Sequence, residues 1–456
     1  MGLLPLKLAA ARAAGAVSRR AGKGGTSLPG KLLLRMEPGA VGSLAGRLAN
    51  GSAVISATNG KTTTAAMVAS VLERGGHTLV HNRAGANMAG GIAGTLLEAA
   101  GPGATLRGDT GLFEIDEFWL DRLVPQIRPR ALLLANLFRD QLDRYGELDT
   151  IADRWAGVVG GLGPETTLVL NADDPLVADL GRDREGVVYF GVEDPSVALS
   201  GMAHAADSKH CRRCGAPYAY DHVFLGHLGH YHCDACGATR PAPAVAATRV
   251  VLDGLRGARV TLRLGAESVD VALPLPGLYN VYNALAAAAL GTALGATPAE
   301  IVAGLEATAA AFGRAETVSL GGRDLLLLLV KNPAGANEVL RTLALEDGEH
   351  DVLAVLNDQV ADGRDVSWVW DADFELLAGR LARVVCSGSR AAEMALRFKY
   401  AGVAEERLVV EPSLPAALDR AVSGGTGRLV AIPTYTAMLA LREELRARGV
   451  VGSSFG

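Results

Sequence analysis

Aromatic residues are scarce in this chain, 5% of its 456 positions, too few for a platform on which single-stranded nucleic acid stacks its bases. An excess of basic charge is missing as well. Lysine and arginine total 44 against 49 aspartates and glutamates, a net charge of −5, so no whole-chain field attracts nucleic acid or an anionic membrane, and an anionic ligand must be gripped locally. No uninterrupted apolar run reaches the about 18 residues of a membrane span. The amino-terminal segment 3–17 is broken by Lys7 and Arg12, which suits an amphipathic helix better than a signal segment. Cysteine is limited to five residues, four of them within 26 positions. That clustering fits a reducing, cytoplasmic setting in which thiols bind metal, and it does not fit a disulfide framework.

What is present is an Ala/Gly/Leu-rich globular composition, 49% hydrophobic and 20% charged with 56 glycines, on a chain long enough for two or three domains. Residues 1–45 read as a helix followed by a Gly/Pro-punctuated connector over 22–30. Across 46–313, apolar runs at 53–57, 78–81, 111–115, 130–136, 167–171 and 187–190 alternate with helical stretches, which predicts an α/β domain built on a parallel sheet. From about 201 to 243 that pattern gives way to Cys, His, Tyr and Gly, an insertion. Residues 314–456 carry a second series, with strands expected at 325–330, 352–356, 384–388, 408–410 and 429–432, and predict a Rossmann-like α/β domain ending in a helix over 435–448.

The run 53–57 leads into Thr58-Asn59-Gly60-Lys61-Thr62-Thr63-Thr64 and then an amphipathic stretch over 65–74. Backbone amides at such a turn suit a polyphosphate, Lys61 reaches β/γ oxygens, and Thr62 offers a hydroxyl to magnesium. The strict pattern asks for glycine at position 55, where this chain has Ile55. In the insertion, Cys211-x2-Cys214 and Cys233-x2-Cys236 lie 18 residues apart, the spacing of a four-thiolate zinc ribbon; a closed site of that kind is structural. His210, His222, His227, His230 and His232 crowd the same segment, but two matched pairs need no help from them. Cys386, in an apolar run, is expected to be a core thiol.

The segment Thr58 to Thr63 resembles the ATP loop of the Mur ligase family, ATP-dependent amide-forming enzymes of peptidoglycan precursor synthesis. Further matches follow in family order: Glu114-Ile115-Asp116-Glu117, residues 136–143, Asn171-Ala172-Asp173-Asp174, residues 277–284 and residues 312–316. The resemblance implies ATP and Mg²⁺ as ligands, with Glu114 or Glu117 on the metal, Asn280 and Asn283 at the adenine or its ribose, and Arg314 in the nucleotide site. Two departures stand out. Gln141 occupies a place where many members have histidine, and no lysine lies between Lys61 and Lys209, although amino-acid-adding members commonly carry a carbamylated one there.

Lys331-Asn332-Pro333-Ala334-Gly335, the acidic segment Asn357 to Asp371 and the four-cysteine insertion resemble the MurT branch of that family, the ligase subunits of lipid II isoglutaminyl synthases, over about residue 30 to the carboxyl terminus. The resemblance implies amidation of the D-glutamate α-carboxylate of lipid II to D-isoglutamine through an acyl phosphate, at the inner membrane surface. Ammonia would come from a class I glutamine amidotransferase partner, GatD, whose Cys–His pair takes its third member from an aspartate of the C-terminal domain. Asp365 is favoured for that role: it lies just before Ser367-Trp368, and Gly363 lets the backbone turn. Asp358 and Asp362 are the runners-up. Two other readings stand beside this one: an autonomous ligase like the Mur enzymes or folylpolyglutamate synthase, and a zinc-ribbon scaffold with a vestigial nucleotide site.

Overall fold

A computed structural model describes residues 4–20, 27–82, 86–139, 148–202, 206–308, 314–423, 425 and 427–451. The first apolar runs become strands β1 (Ser52–Ser56), β2 (Leu79–His81), β3 (Thr110–Glu114), β4 (Ala131–Leu134), β5 (Thr167–Asn171) and β6 (Val188–Val192). They lie parallel in the order β6-β5-β4-β1-β3-β2. Every residue of β1, β3 and β4 is buried, because helices cover both faces; such strands show unbroken apolar runs rather than alternation.

The insertion folds as a separate hairpin of β7 (Ala219–Leu225) and β8 (Leu228–His232). Beyond it, β9 (Val245–Leu252) pairs parallel with β6, and β10 (Ala258–Leu264) and β11 (Glu267–Leu273) continue as an antiparallel meander, making a nine-stranded mixed sheet. The apolar runs predict the parallel strands but none over 245–273, so this antiparallel extension is an addition to the expected sheet. Ala258, Val260, Leu262 and Leu264 of β10 are buried while the residues between are exposed or half-buried, and such one-sided alternation is a weaker signal than a continuous run. The connector expected over 22–30 also needs correction. The helix Ser27–Met36 already includes Gly30, where a Cβ would lie 1.9 Å from the Gly90 carbonyl oxygen of the helix Ala89–Ala99. Glycine there permits helix-on-helix contact. The leader helix Leu4–Arg20 packs Leu8 and Ala11 into the same core as Val54 of β1.

The second sheet contains β12 (Arg314–Leu320), β13 (Arg323–Leu328), β14 (His350–Val355), β15 (Leu381–Ser387), β16 (Leu408–Val410) and β17 (Arg428–Pro433). Its order is β12-β13-β17-β14-β15-β16, parallel throughout except for the β12–β13 hairpin.

Three placements create the site. In the first sheet the strand order reverses at β1, which opens a crevice at its carboxyl end. The helix Leu278–Leu294 seats Ala284 and Ala286 to Ala289 fully in the core, and their small side chains bring its first turn close to that crevice. The end of β13 delivers Lys331 and Asn332 from the second sheet. Among the described residues no helix is long and apolar enough to cross a membrane.

Candidate nucleotide site and metal centre

Leaving β1, the chain turns at Gly60, whose φ of 83° is left-handed, and enters the helix Lys61–Arg74. Glycine is required twice over at this turn: the backbone angle favours it, and a Cβ would fall 2.0 Å from Asn283 Oδ1. The loop is tied down before any ligand arrives. Asn136 Oδ1 accepts the Asn59 N–H at 2.9 Å, Asn136 Nδ2 donates to the Asn59 carbonyl at 3.0 Å, and the Thr58 hydroxyl accepts the Phe138 N–H at 3.1 Å. Thr63 is buried and Thr62 half-buried in the first helical turn. The Lys61 ammonium, on a side chain with 10% exposure, donates to Glu117 Oε2 at 2.8 Å and to the Ala57 carbonyl. Burial opposes its charge, yet Glu117, with Glu114 and Asp116 behind it, outweighs burial and holds the lysine pKa above its ordinary value.

Glu114 ends β3, beside Ile55 of β1, and is buried. Its carboxylate meets a neutral amide, Asn87 Nδ2 at 3.4 Å, and no ion pair within 4 Å among the described residues. Both acids favoured for magnesium therefore face the phosphate loop. They differ in that Glu117 already pairs with Lys61.

Asn280 and Asn283 come together on the first turns of the helix Leu278–Leu294. Asn283 Nδ2 donates to Asn280 Oδ1 at 3.0 Å, Asn280 Nδ2 to the Pro276 carbonyl at 2.7 Å, and the Thr64 hydroxyl to Asn283 Oδ1 at 3.2 Å. From the second sheet, Lys331 Nζ donates to the Thr58 carbonyl at 3.2 Å and Asn332 Nδ2 to Asn59 Oδ1 at 3.0 Å. An apolar cavity lies between these pieces, lined by Gly60, Asn283, Tyr282, Leu225, Leu228 and Val339 among others. Arg314 opens β12, but its side chain lies outside the described residues, as do Gln141 and the 140–143 segment.

The four ribbon cysteines converge, with all four sulfurs within 4.8 Å of one another. Cys211 and Cys236 sulfurs are 3.6 Å apart and those of Cys214 and Cys233 3.5 Å, close to the about 3.8 Å edge of a tetrahedron with 2.3 Å metal–sulfur bonds. The pairs repeat one turn. Gly215 N–H donates to the Cys211 carbonyl at 2.8 Å and Gly237 N–H to the Cys233 carbonyl at 2.9 Å, with φ of 76° and 73° at the two glycines. Burial works against a Cys211 thiolate, but the N–H groups of Arg213 and Cys214 overcome it and hold this thiol down to about 6, where it ionises readily for a cation.

The acids after β14 separate. Asp362 is buried, accepting the Thr436 N–H at 2.7 Å and the Thr436 hydroxyl, and so pins the loop to the helix Tyr435–Ala447. Asp358 accepts from Ser389 Oγ and Arg390 Nε, both at 2.8 Å, and Asp371 lies 3.5 Å from Arg139. Asp365 is exposed and accepts the Ser367 N–H at 2.9 Å. The Ser367 hydroxyl and N–H hold its carboxyl below the usual range. No contact joins Asp365 to the phosphate loop among the described residues.

The Mur ligase middle domain model matches residues 55–232, and the MurT ligase C-terminal model matches residues 329–438. A lipid II isoglutaminyl synthase (glutamine-hydrolyzing) subunit MurT of Staphylococcus aureus strain N315 is 33% identical over 95% of this chain and 96% of its own length. The subunit of the same name from Streptococcus pneumoniae R6 is 33% identical over 98% of both chains. The chain belongs to the MurT family. It is a ligase of the Mur type. Among solved structures, a pseudomurein peptide ligase type C from Methanothermus fervidus superposes with a TM-score of 0.66, at 23% identity over 87% of this chain and 78% of its own. A Mycobacterium tuberculosis folylpolyglutamate synthase complexed with ADP and AMPPCP gives 0.59, at 18% identity over 91% and 95%. These two share the fold.

Within this MurT chain the structure adds residues that the sequence reading left without a role. Asn136, at the end of β4, fixes the loop backbone. Lys331 and Asn332 cross from the second sheet, and the Leu225–Leu228 tip of the ribbon reaches the cavity. A paired asparagine at a strand end is a legible signal for the first; the others depend on how distant segments pack.

Proposed function

We propose that this chain is the ligase subunit of a lipid II isoglutaminyl synthase, using ATP to convert the D-glutamate α-carboxylate of the lipid II stem peptide to D-isoglutamine. The observation that carries this reading is a preformed phosphate loop, with Lys61 buried against Glu117, in a chain whose full-length relatives bear that enzyme's name. Its parts are an N-terminal helix and connector (1–45), an ATP-binding domain (46–313) carrying the ribbon at about 201–243, and a C-terminal domain (314–456). The chain works in the cytoplasm at the inner membrane surface.

A carboxylate oxygen attacks the γ-phosphorus of ATP, the bond to ADP breaks, and an acyl phosphate forms. Ammonia then attacks the acyl carbon, phosphate leaves with the electrons of the broken bond, and the nitrogen gives up a proton. Charge growing on the transferring phosphoryl group has to be met by fixed donors. Thr58, Asn59, Gly60, Lys61, Thr62 and Thr63 cradle the phosphates, with Lys61 exchanging Glu117 for β/γ oxygens, while Asn280, Asn283 and Arg314 hold the nucleoside. A buried Glu114 with a neutral partner fits a magnesium ligand, with Thr62 and Glu117 as further donors. Magnesium, when bound, supplies positive charge to the phosphate oxygens. The four sulfurs fit a closed zinc site of structural character, and metal analysis of purified protein should find about one zinc per chain.

The nitrogen is best supplied by a partner. Cys386, the one cysteine outside the ribbon, is buried in β15, and burial pushes its thiol up to about 12, the opposite of an activated nucleophile. A GatD-like amidotransferase with its own Cys–His pair answers this need, and Asp365 is the carboxylate we assign to complete that pair. The missing lysine between Lys61 and Lys209 weighs against an autonomous amino-acid ligase. The test is co-purification with a GatD-like protein, followed by mass spectrometry of lipid II after incubation with ATP and glutamine. Conversion of the glutamate carboxyl to amide, a loss of about 1 Da, is expected; ATP-dependent addition of an amino acid instead would overturn the reading.

A further inference from the structure

Metal ribbons are ordinarily credited with fold, yet the far end of this one is built into the ligand cavity. The sulfurs sit at the open end of the hairpin, and Cys233 follows Leu228 by five positions, roughly 16 Å at the rise of a strand. At the closed end, Leu225 and Leu228 are 5% and 1% exposed, and both line the same cavity as Gly60. A hairpin whose only task is to carry a metal has no reason to bury its tip there.

The tip is also held in position. Gly229 N–H donates to the Asp173 carbonyl at 2.9 Å and the His230 ring meets the Val192 carbonyl at 2.8 Å. Fully buried His227 lies 3.4 Å from Asp174, with its ring centroid 4.8 Å from that of Phe138. Phe138 in turn donates its N–H to Thr58 of the phosphate loop. Gly226 adopts a φ of 60°, and a Cβ on it would lie 2.9 Å from the Phe138 ring. The tip thus meets the phosphate loop's support at contact distance.

The cavity wall mixes polar groups, at Asn59, Gly60, Asn283, Lys331 and Glu338, with apolar ones, among them Leu225, Leu228, Val339 and the Tyr282 ring. That mixture suits a nucleotide, whose phosphates want N–H donors and whose base wants flat apolar walls with a few amides. We propose that Leu225 and Leu228 form the ribbon-side wall of the nucleobase pocket, so that the ribbon takes part in recognising ATP. The inference rests on the phosphate-loop reading above.

Equilibrium binding to the full chain, in magnesium buffer, distinguishes base recognition from phosphate recognition when ATP is compared with inorganic tripolyphosphate. Leu228→Ala should weaken ATP about tenfold, since three buried carbons are lost from the wall, and should leave tripolyphosphate affinity and zinc content unchanged. Leu228→Met, which keeps apolar volume, should restore ATP binding. An unmoved ATP affinity in Leu228→Ala, or equal weakening of both ligands, would overturn the proposal by leaving the tip a purely structural role. A wild-type chain that bound neither ligand would instead bring down the phosphate-loop reading, and this inference with it.

Discussion

Two loops leave the carboxyl ends of central strands in the two sheets, and they treat their charges in opposite ways. After β1 the charges face one another in a buried pocket: Lys61 is paired with Glu117, and Asn59 is tied to both Asn136 and Asn332. After β14, four aspartates within fourteen residues go separate ways, and Asp365 stays in solvent with its own Ser367 as partner. Taking a charge out of water costs several kcal/mol unless a partner answers it, whereas an exposed carboxylate needs none. A ligand for the first loop must replace a partner already there. A partner for Asp365 meets an exposed carboxylate held only by its local Ser367 contact.

Asp365→Asn tests the contrast where it predicts the largest effect. If Asp365 completes a partner's Cys–His pair, glutamine-dependent amidation should fall by about 10⁴-fold, while amidation driven by added ammonium and co-purification with the partner persist. Loss of both activities would place Asp365 in the ligase site and erase the distinction between the loops. The low carboxyl pKa of Asp365 suits the role, since the group stays ionised at neutral pH.

Lys61→Ala examines the other loop. Losing a fixed cation from a dry phosphate site should lower ammonium-driven and glutamine-driven amidation together, by about 10²–10³-fold in kcat. Glu117 would be left buried without its partner, so the thermal midpoint should drop as well. Equal loss with both nitrogen sources is the signature that sets this variant apart from Asp365→Asn, and full turnover at saturating ATP would remove Lys61 from the site.

The contrast also explains what the sequence disclosed. The phosphate loop was legible because its requirement is local: a buried strand, a glycine at a left-handed turn, a lysine and hydroxyls on the next helical turn. The ribbon was legible for the same reason, as two short knuckles with a glycine after each pair. The strands of the parallel core appeared as apolar runs within a few residues of their ends, whereas β10 and β11 escaped because their buried residues alternate with more exposed ones. Lys331, Asn332 and Leu228 could not be assigned to the site from sequence, since their part in it depends on the second sheet and the ribbon closing on the first. Nor did spacing separate the four aspartates, which share a loop and differ in what that loop packs against.

Asp362→Ala sharpens that last point. Removing a buried acceptor of the Thr436 N–H and hydroxyl leaves donors unsatisfied at the start of the helix Tyr435–Ala447, which should cost about 2–3 kcal/mol of stability. Urea unfolding should show this as a lower midpoint with unchanged slope. A midpoint equal to wild type would mean that Asp362 does not anchor the loop, and the positional argument for Asp365 would weaken with it.

Asp358→Asn should have the smallest effect, and its smallness is informative. Asp358 accepts from Ser389 and Arg390, and these contacts hold its carboxyl below the usual range. Its side chain is 28% exposed and that of Arg390 39%, so water screens the pair and competes for it. Arg390 also keeps a second acid, Glu393, at 2.7 Å. The thermal midpoint at neutral pH should therefore move by no more than about 2 °C. The sign with pH is fixed: a carboxyl lowered in the folded state contributes above its ordinary value and loses that contribution as pH falls through the folded one. The small gap between wild type and Asp358→Asn should accordingly close on acidification. A gap that widened in acid, or a loss of glutamine-dependent amidation as deep as that of Asp365→Asn, would show that position 358 serves the partner too, and that the loop carries its function on more than one carboxylate.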